Sequence, residues 1–422
     1  QSKIHASDAA ADDRFGVSVS LYGDTALIGA FGDDDNSKTD SGSVYVFTRS
    51  STNGGTFTQQ SKLHASDAAV EDRFGISVSL YGDTALIGAY GDDDNSKSGS
   101  GSVYVFTRSN TDGTFTQQSK IHASDATVDD YFGVSVSLYG DTALIGAHGD
   151  DDNSKSGSGS VYVFTRSSTD AGTFTQQSKL HASDPAADDV FGWSVSLYGD
   201  TALIGAHGND DNSKSNSGSV YVFKAPPPPP PPSPPSPPPS PPPLFLTSLV
   251  EYATQPKLYA SDAAVHDWFG YSVSLYGDTA LIGAVYDDDN SKSGSGSVYV
   301  FTRSSTDDGT FTQQSKLHAN DPAATDYFGG SVSLYGDTAL IGAIFDDDNS
   351  KTDSGSVYVF TRSSTDSGTF TQQSKLRASD PAVEDLFGRS VSLYGDTALI
   401  GATGDDDNSK SNSGSVYVFK AP

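Results

Sequence analysis

Cysteine and methionine are both absent from this chain of 422 residues, and tryptophan occurs only twice. Without cysteine there is no disulfide framework, no thiol nucleophile and no cysteine-based zinc site. A chain of this length has core enough to fold without such staples, so no redox compartment is excluded. Lacking methionine, the sequence does not begin at an initiator residue and reads as a processed or partial chain. No signal peptide is visible, as expected of a mature secreted protein. Positive charge is scarce: 25 Lys and Arg stand against 54 Asp and Glu, a formal net charge of −29. That balance argues against nucleic acid and anionic membrane surfaces as partners. It suits a well-hydrated surface, or one that gathers cations. No apolar run approaches the roughly 20 residues needed to span a bilayer, so no membrane insertion is expected. There is also no Gly-Lys-Ser/Thr phosphate loop and no zinc-ligand spacing.

What is present is repetition. The stretch Phe15 to Phe47 returns six more times, opening at Phe74, Phe132, Phe191, Phe269, Phe328 and Phe387. Five of the six steps are 58 or 59 residues, and the step from Phe191 to Phe269 is 78 because a proline run interrupts it. A fixed period of this size marks a repeat architecture. Within a copy the apolar residues alternate as in strands. Ser18-Val19-Ser20-Leu21 forms strand a and meets a tight Gly23-Asp24 turn; Thr25 to Ala30 returns as strand b. After a polar stretch, Asp33 to Gly42, strand c is Ser43 to Phe47, rich in β-branched and aromatic residues. A Gly-rich turn then leads to strand d, Thr56 to Leu63. Four antiparallel strands per repeat predict an all-β protein. A β-propeller solves the edge problem for such sheets, and seven is a common blade number, so a ring is favoured over a linear solenoid. The consecutive Val-Tyr-Val-Phe of strand c suits a sheet covered on both faces.

Phe15-Gly16, Ser18-Val19-Ser20, Leu27-Ile28-Gly29-Ala30 and Gly42 to Phe47 together resemble the FG-GAP repeat, which builds the seven-bladed propeller of integrin α chains and of many extracellular proteins. The resemblance covers every repeat and implies an extracellular or cell-surface location. Two departures stand out. The proline of the "GAP" element is replaced by Phe31, Tyr90, His148, His207, Val285, Ile344 and Thr403. The family's calcium loop between strands a and b is replaced by the short Tyr-Gly-Asp-Thr turn, so the family's metal sites do not carry over.

The chain opens on a lone strand d, Gln1 to Ser7, and closes on a strand c without a d, Val416 to Pro422. In a closed ring the first would complete the blade of the last. The same break recurs in the middle. Repeat four ends at Ala225, and its missing strand d reappears at Gln255 to Ser261. The organisation expected is a four-repeat propeller module at 1–225, a linker at 226–243 and a three-repeat module at 244–422.

The linker is Pro226, Pro227, Pro228, Pro229, Pro230, Pro231, Pro232, Ser233, Pro234, Pro235, Ser236, Pro237, Pro238, Pro239, Ser240, Pro241, Pro242 and Pro243. This composition predicts a polyproline II rod, roughly 55 Å long at about 3.1 Å per residue. Its Ser-Pro-Pro units resemble the hydroxyproline-rich, extensin-like glycoproteins of plant and algal walls. That resemblance implies hydroxylated prolines carrying O-linked glycans, with the serines as further acceptors. No Asn-x-Ser/Thr acceptor occurs. A stiff rod is a poor connection between strands about 5 Å apart. The expectation is therefore that the two modules belong to different propellers, each ring being completed by a second copy. Such a contact need not close and propagates as a homopolymer. The favoured reading is a structural glycoprotein of a filament or surface coat. The alternative is a monomeric adhesion or carbohydrate-binding propeller on a stalk, with calcium as a possible requirement.

The acidic loops are the candidate metal sites: Asp33 and Asp35, Asp92 and Asp94, Asp150 and Asp152, Asp287 and Asp289, Asp346 and Asp348, Asp405 and Asp407. Clustered carboxylates are ligands of the type calcium uses. The spacing lacks an EF-hand pattern, however, and a solvated turn held by Asx bonds explains the loops equally. No cofactor is required on either account. Asp13, Asp72, Asp130, Asp189, Asp267, Asp326 and Asp385 each stand two before Phe-Gly, where fixing the turn into strand a explains them. His5, His64, His122, His181 and His318 share a strand-d position where Tyr259 and Arg377 also occur. A catalytic base would not be exchanged so freely, and no enzymatic site is expected. The b–c and d–a loops emerge on one end of the propeller, where most differences between repeats fall. Trp193 and Tyr271 follow Phe-Gly, Trp268 precedes it, and Tyr286 and Phe345 replace the usual glycine after Gly-Ala-X. Aromatics placed this way point to a contact face.

Overall fold

The structure is a computed structural model describing residues 1–49, 55–167, 172–211, 213–225, 253–254, 256–288, 291–303, 310–347, 350–363 and 369–420. Pro226–Pro243, and with it the expected rod and its hydroxylation and glycosylation, lies outside them. The strand pattern folds as the alternation predicts. Blade 1 consists of strand a at Val19–Tyr22, b at Thr25–Ala30, c at Ser43–Arg49 and d at Phe57–Leu63. All are paired antiparallel, with a bulge between Val46 and Phe47. The a–b turn places Gly23 at φ 59°, a left-handed conformation that glycine adopts without penalty.

Both faces of strands b and c are buried, because the core lies between blades rather than within one. Ile28, Tyr45 and Phe47 pack against Leu399, Val416 and Val418 of blade 7. Leu27, Val44 and Val46 face the other way, onto Phe74, Leu80, Ile87 and Tyr104 of blade 2. Each such side chain contributes about 1.5–3 kcal/mol by leaving water.

Seven four-stranded sheets result, one per blade. Their a strands contact each neighbour in turn, and strand a of blade 7 meets that of blade 1, so the ring is closed around a central channel. The Ser-Val-Ser triplet stitches it. Ser18 Oγ donates to the Gly75 carbonyl at 2.8 Å, and Ser20 Oγ accepts from the Leu80 amide at 3.0 Å. Both bonds recur at every blade junction, ending with Ser390 to Gly16 and Leu21 to Ser392. Blades approach so closely here that a Cβ added to Gly146 would lie 2.0 Å from the Gly192 carbonyl oxygen.

The orphan strands complete their blades as the sequence predicts. Ser2–Ile4 pairs with the last strand of blade 7, Lys3 opposite Tyr417. The midchain break closes in the same way, which corrects the expectation that the modules belong to different propellers. Ala253 and Thr254 pair with Lys224 and Phe223, Leu258 bridges Val220, and Lys257 reaches Asp184 at 2.9 Å as Lys62 reaches Asp8 in blade 1. Closing the blade requires only that the two ends of the intervening segment meet. The entropy of doing so grows slowly with loop length, whereas burial of Leu258 and the lysine pair both favour the blade's own strand.

Candidate contact surface at the mouth of the channel

Near its end the d–a loop carries an aspartate. Asp13 is buried, its carboxylate accepts the Ala10 amide at 2.6 Å, and its carbonyl accepts the Gly32 amide. Burial pushes its pKa up to about 6, and the nearby Asp33 carboxylate adds to the shift. The residues on either side, Asp12 at φ 65° and Arg14 at φ 60°, are left-handed without being glycine. Every blade repeats this pair, with Tyr131, Val190, Trp268, Tyr327 and Leu386 among the second members. Non-glycine residues held this way cost of order 1–3 kcal/mol each. The buried aspartate keeps its turn role in every blade.

The acidic loops are held by the protein's own lysines. Asp33 accepts from Tyr45 Oη at 2.6 Å, from Ser43 Oγ at 3.2 Å and from Lys62 Nζ at 2.9 Å. Lys120, Lys179, Lys316, Lys375 and Lys3 meet Asp92, Asp150, Asp287, Asp346 and Asp405 in the same way. Burial opposes the charge on Lys62, but its bonds to Asp33 and Asp8 outweigh it and raise its pKa. The ammonium therefore takes up carboxylate oxygens of Asp33 and Asp8. Asp35, Asp94, Asp152 and Asp407 open short 3-10 turns whose amides donate to serines. Among the described residues no three acidic, histidine or cysteine side chains converge to hold a metal. Asp289 and Asp348 lie outside the described residues.

The d–a and b–c loops surround one mouth of the channel, a funnel of about 820 Å³. One residue from each blade, the one after Phe-Gly, lines it: Val17, Ile76, Val134, Trp193, Tyr271, Gly330 and Arg389. Around one side of this funnel runs an unbroken arc of rings. Tyr90 meets Tyr131 at 5.7 Å, Tyr131 stacks on His148 at 5.3 Å, and His148 meets Trp193 at 5.2 Å. Trp193 continues to His207 at 4.9 Å and Tyr271 at 5.8 Å, and His207 to Trp268 at 4.7 Å. From Trp268 the arc passes through Tyr286 (4.5 Å) and Tyr327 (4.7 Å) to Phe345 (5.0 Å). Arg73 lies over Tyr90 at one end.

All five aromatics expected at a contact face, Trp193, Trp268, Tyr271, Tyr286 and Phe345, fall in this arc. Sequence reasoning did not assign Tyr90, His148, His207 and Tyr327 to it. Their signal was positional: Tyr90, His148 and His207 stand in the column of the missing "GAP" proline, and Tyr327, like Tyr131, shares the column of Trp268 before Phe-Gly. Burial pushes His148 down to about 4, and burial with the neighbouring His148 pushes His207 down to about 3. Both rings are therefore neutral at ordinary pH, and neither Nδ1 has a hydrogen-bond partner.

At the other end of the channel, Tyr22, Tyr81, Tyr139, Tyr198, Tyr276, Tyr335 and Tyr394 close a complete annulus, neighbours 5.0–5.1 Å apart.

The profile of the FG-GAP repeat matches residues 1–47, 57–106, 115–164, 174–223, 252–301, 311–360 and 370–419. The chain belongs to the FG-GAP repeat family. Within the FG-GAP repeat, the His148 and His207 columns fall where the "GAP" proline would stand, so departures from the motif line the mouth. No curated protein sequence matches the chain. Among solved structures it is similar to a candidate 6-phosphogluconolactonase from Bacteroides uniformis, at 12% identity and a TM-score of 0.57, covering 94% of this chain and 92% of that one. A second such protein, from Bacteroides fragilis, has 12% identity and a TM-score of 0.52 over 87% and 86% of the two chains. At this identity the likeness is one of fold alone.

Proposed function

We propose that this FG-GAP propeller is an extracellular, non-catalytic building block that binds through the mouth of its channel and self-associates head to tail into a filament or surface coat. Its proline segment is hydroxylated and O-glycosylated in this reading. The carrying observation is the placement of two unlike elements at opposite ends. The aromatic arc lies along one side of the mouth, whereas strand c of blade 4 delivers the chain to Ala225 at the tyrosine end, where the proline segment begins. A molecule with different contacts at its two ends makes heterologous, non-closing associations. FG-GAP repeats are typical of extracellular proteins, and no helix among the described residues is long and apolar enough to cross a membrane. The non-catalytic reading is supported by the two histidines of this end, which burial keeps neutral and whose Nδ1 atoms have no hydrogen-bond partner.

Light scattering of the full chain across a concentration series tests this. Association should increase with concentration and should be abolished by the double variant Trp193→Ala, Trp268→Ala. A chain that stays monomeric, or one that assembles equally well with both tryptophans removed, contradicts the proposal. Mass spectrometry of the native material should find hydroxyproline and glycan on Pro226–Pro243, and a bare segment would remove the wall-glycoprotein part of the reading.

A further inference from the structure

We propose that the aromatic arc is the docking site for the proline segment, Pro226–Pro243, of a second copy of this chain. The inference rests on the mouth being the contact surface and adds what that surface takes. A proline-rich chain has no backbone N–H; it presents carbonyl acceptors and flat apolar rings, and it loses little entropy on binding. Its receptors elsewhere are grooves lined by aromatic rings with a few donors. The arc has this character: stacked and edge-on rings from Tyr90 to Phe345, with the indole N–H groups of Trp193 and Trp268 among them. Between those indoles sits His207, 7% exposed, whose Nδ1 is buried without a partner. A buried polar atom of this kind is costly unless something satisfies it.

Charge selects in the same direction. In the funnel Glu71, Asp93 and Asp129 outnumber Arg73 and Arg389, on a chain whose net charge is −29, so an acidic segment is disfavoured there. From Pro226 to Val250 there is no charged residue. Position decides between the same copy and another. The segment departs after Lys224 and returns at Ala253 on the same sheet, at the tyrosine end. That end is opposite its own mouth and, in a head-to-tail stack, meets the mouth of the next molecule.

The test uses a synthetic peptide with the sequence of residues 226–243, titrated into the full chain at concentrations where it is monomeric. Both tryptophans of the protein lie in the arc, so intrinsic tryptophan fluorescence reads the site directly. The expected result is a saturable change, weakened about tenfold or more by Trp268→Ala and unaffected by Tyr139→Phe at the opposite end. The wild-type titration, together with inhibition of chain–chain association by excess peptide, decides the matter even if Trp268→Ala fails to fold. No saturable response up to millimolar peptide overturns the inference. So does an equal response to free oligosaccharide, which would make the arc a sugar site. If the peptide is silent while mouth variants still block association, the docking inference falls and the contact-surface reading survives.

Discussion

The two ends of the channel are built from the same strand and have opposite characters. Strand a begins at the mouth with a residue that differs in nearly every blade, from Gly330 to Trp193 and Arg389. It ends a few residues later at a tyrosine in all seven, whose rings form a closed and near-symmetric annulus. A uniform end solves one packing problem seven times. A varied end has no such reason to vary, and its aromatic members are neighbours in space although they come from five blades. The contrast separates what holds the ring together from what the ring presents.

Substitutions should break the two ends differently. The largest effect is expected at the blade junction: Gly146→Ala drives a Cβ into the Gly192 carbonyl and should cost about 4 kcal/mol or more, read as loss of the cooperative unfolding transition. Next, Tyr139→Ala opens the annulus between Tyr81 and Tyr198. It should lower stability by about 1–3 kcal/mol in denaturant unfolding and leave association at the mouth unchanged. The double variant at Trp193 and Trp268 should show the reverse, with association lost and a smaller change in the unfolding midpoint.

How much of this was legible in the sequence depends on whether a feature leaves a residue-type signal. Strand order, blade number and the completion of blade 7 by Ser2–Ile4 follow from alternation and from matching the two chain ends. The left-handed pair around Asp13 was not legible, because no glycine marks it; Arg14 and Trp268 are held there by hydrogen bonds from the neighbouring blade, Arg14 N–H to the Asn412 carbonyl and Trp268 N–H to the Asn216 carbonyl. The fate of the acidic loops was equally hidden. Asp33 is answered by Lys62 from strand d of its own blade, a pairing that only the folded sheet creates. Closure of blade 4 within one chain was misjudged by treating the length of the proline segment as a distance to be covered. Only its two ends have to meet. The five aromatics read as a contact face were found because they are odd in their columns, whereas Tyr90, His148 and His207 stand in a column that changes in nearly every blade and so marks no one residue.

A subtler difference lies in how the rings respond to acid. In the folded ring Asp13, Asp72, Asp267, Asp326 and Asp385 titrate near about 6, raised mainly by burial from the ordinary 3.8. The folded state therefore binds these protons before the unfolded chain does, and stability should increase as pH falls from about 7 through 6 toward 4. Asp8, Asp67 and Asp125 oppose this. Despite partial burial, their lysine and tyrosine partners hold them below 3.8, so stability should be lost again as pH falls below that value. Thermal melts across this range should show a maximum on the acid side of neutrality, and a melting temperature that rises steadily from pH 4 to 7 would contradict the burial of these aspartates. The smallest effect is expected from Val190→Gly. It relieves a β-branched residue at φ 54° and should leave stability unchanged or raise it by about 1 kcal/mol.

Electron cryomicroscopy of the native assembled material, at a resolution that shows side chains, tests the central claim most directly. The account predicts propellers each closed by a single chain, from Lys224 to Ala253, with density from the neighbouring molecule seated against Trp193, Trp268 and Tyr271. Neighbour density at the tyrosine annulus, with the mouth facing solvent, would contradict it.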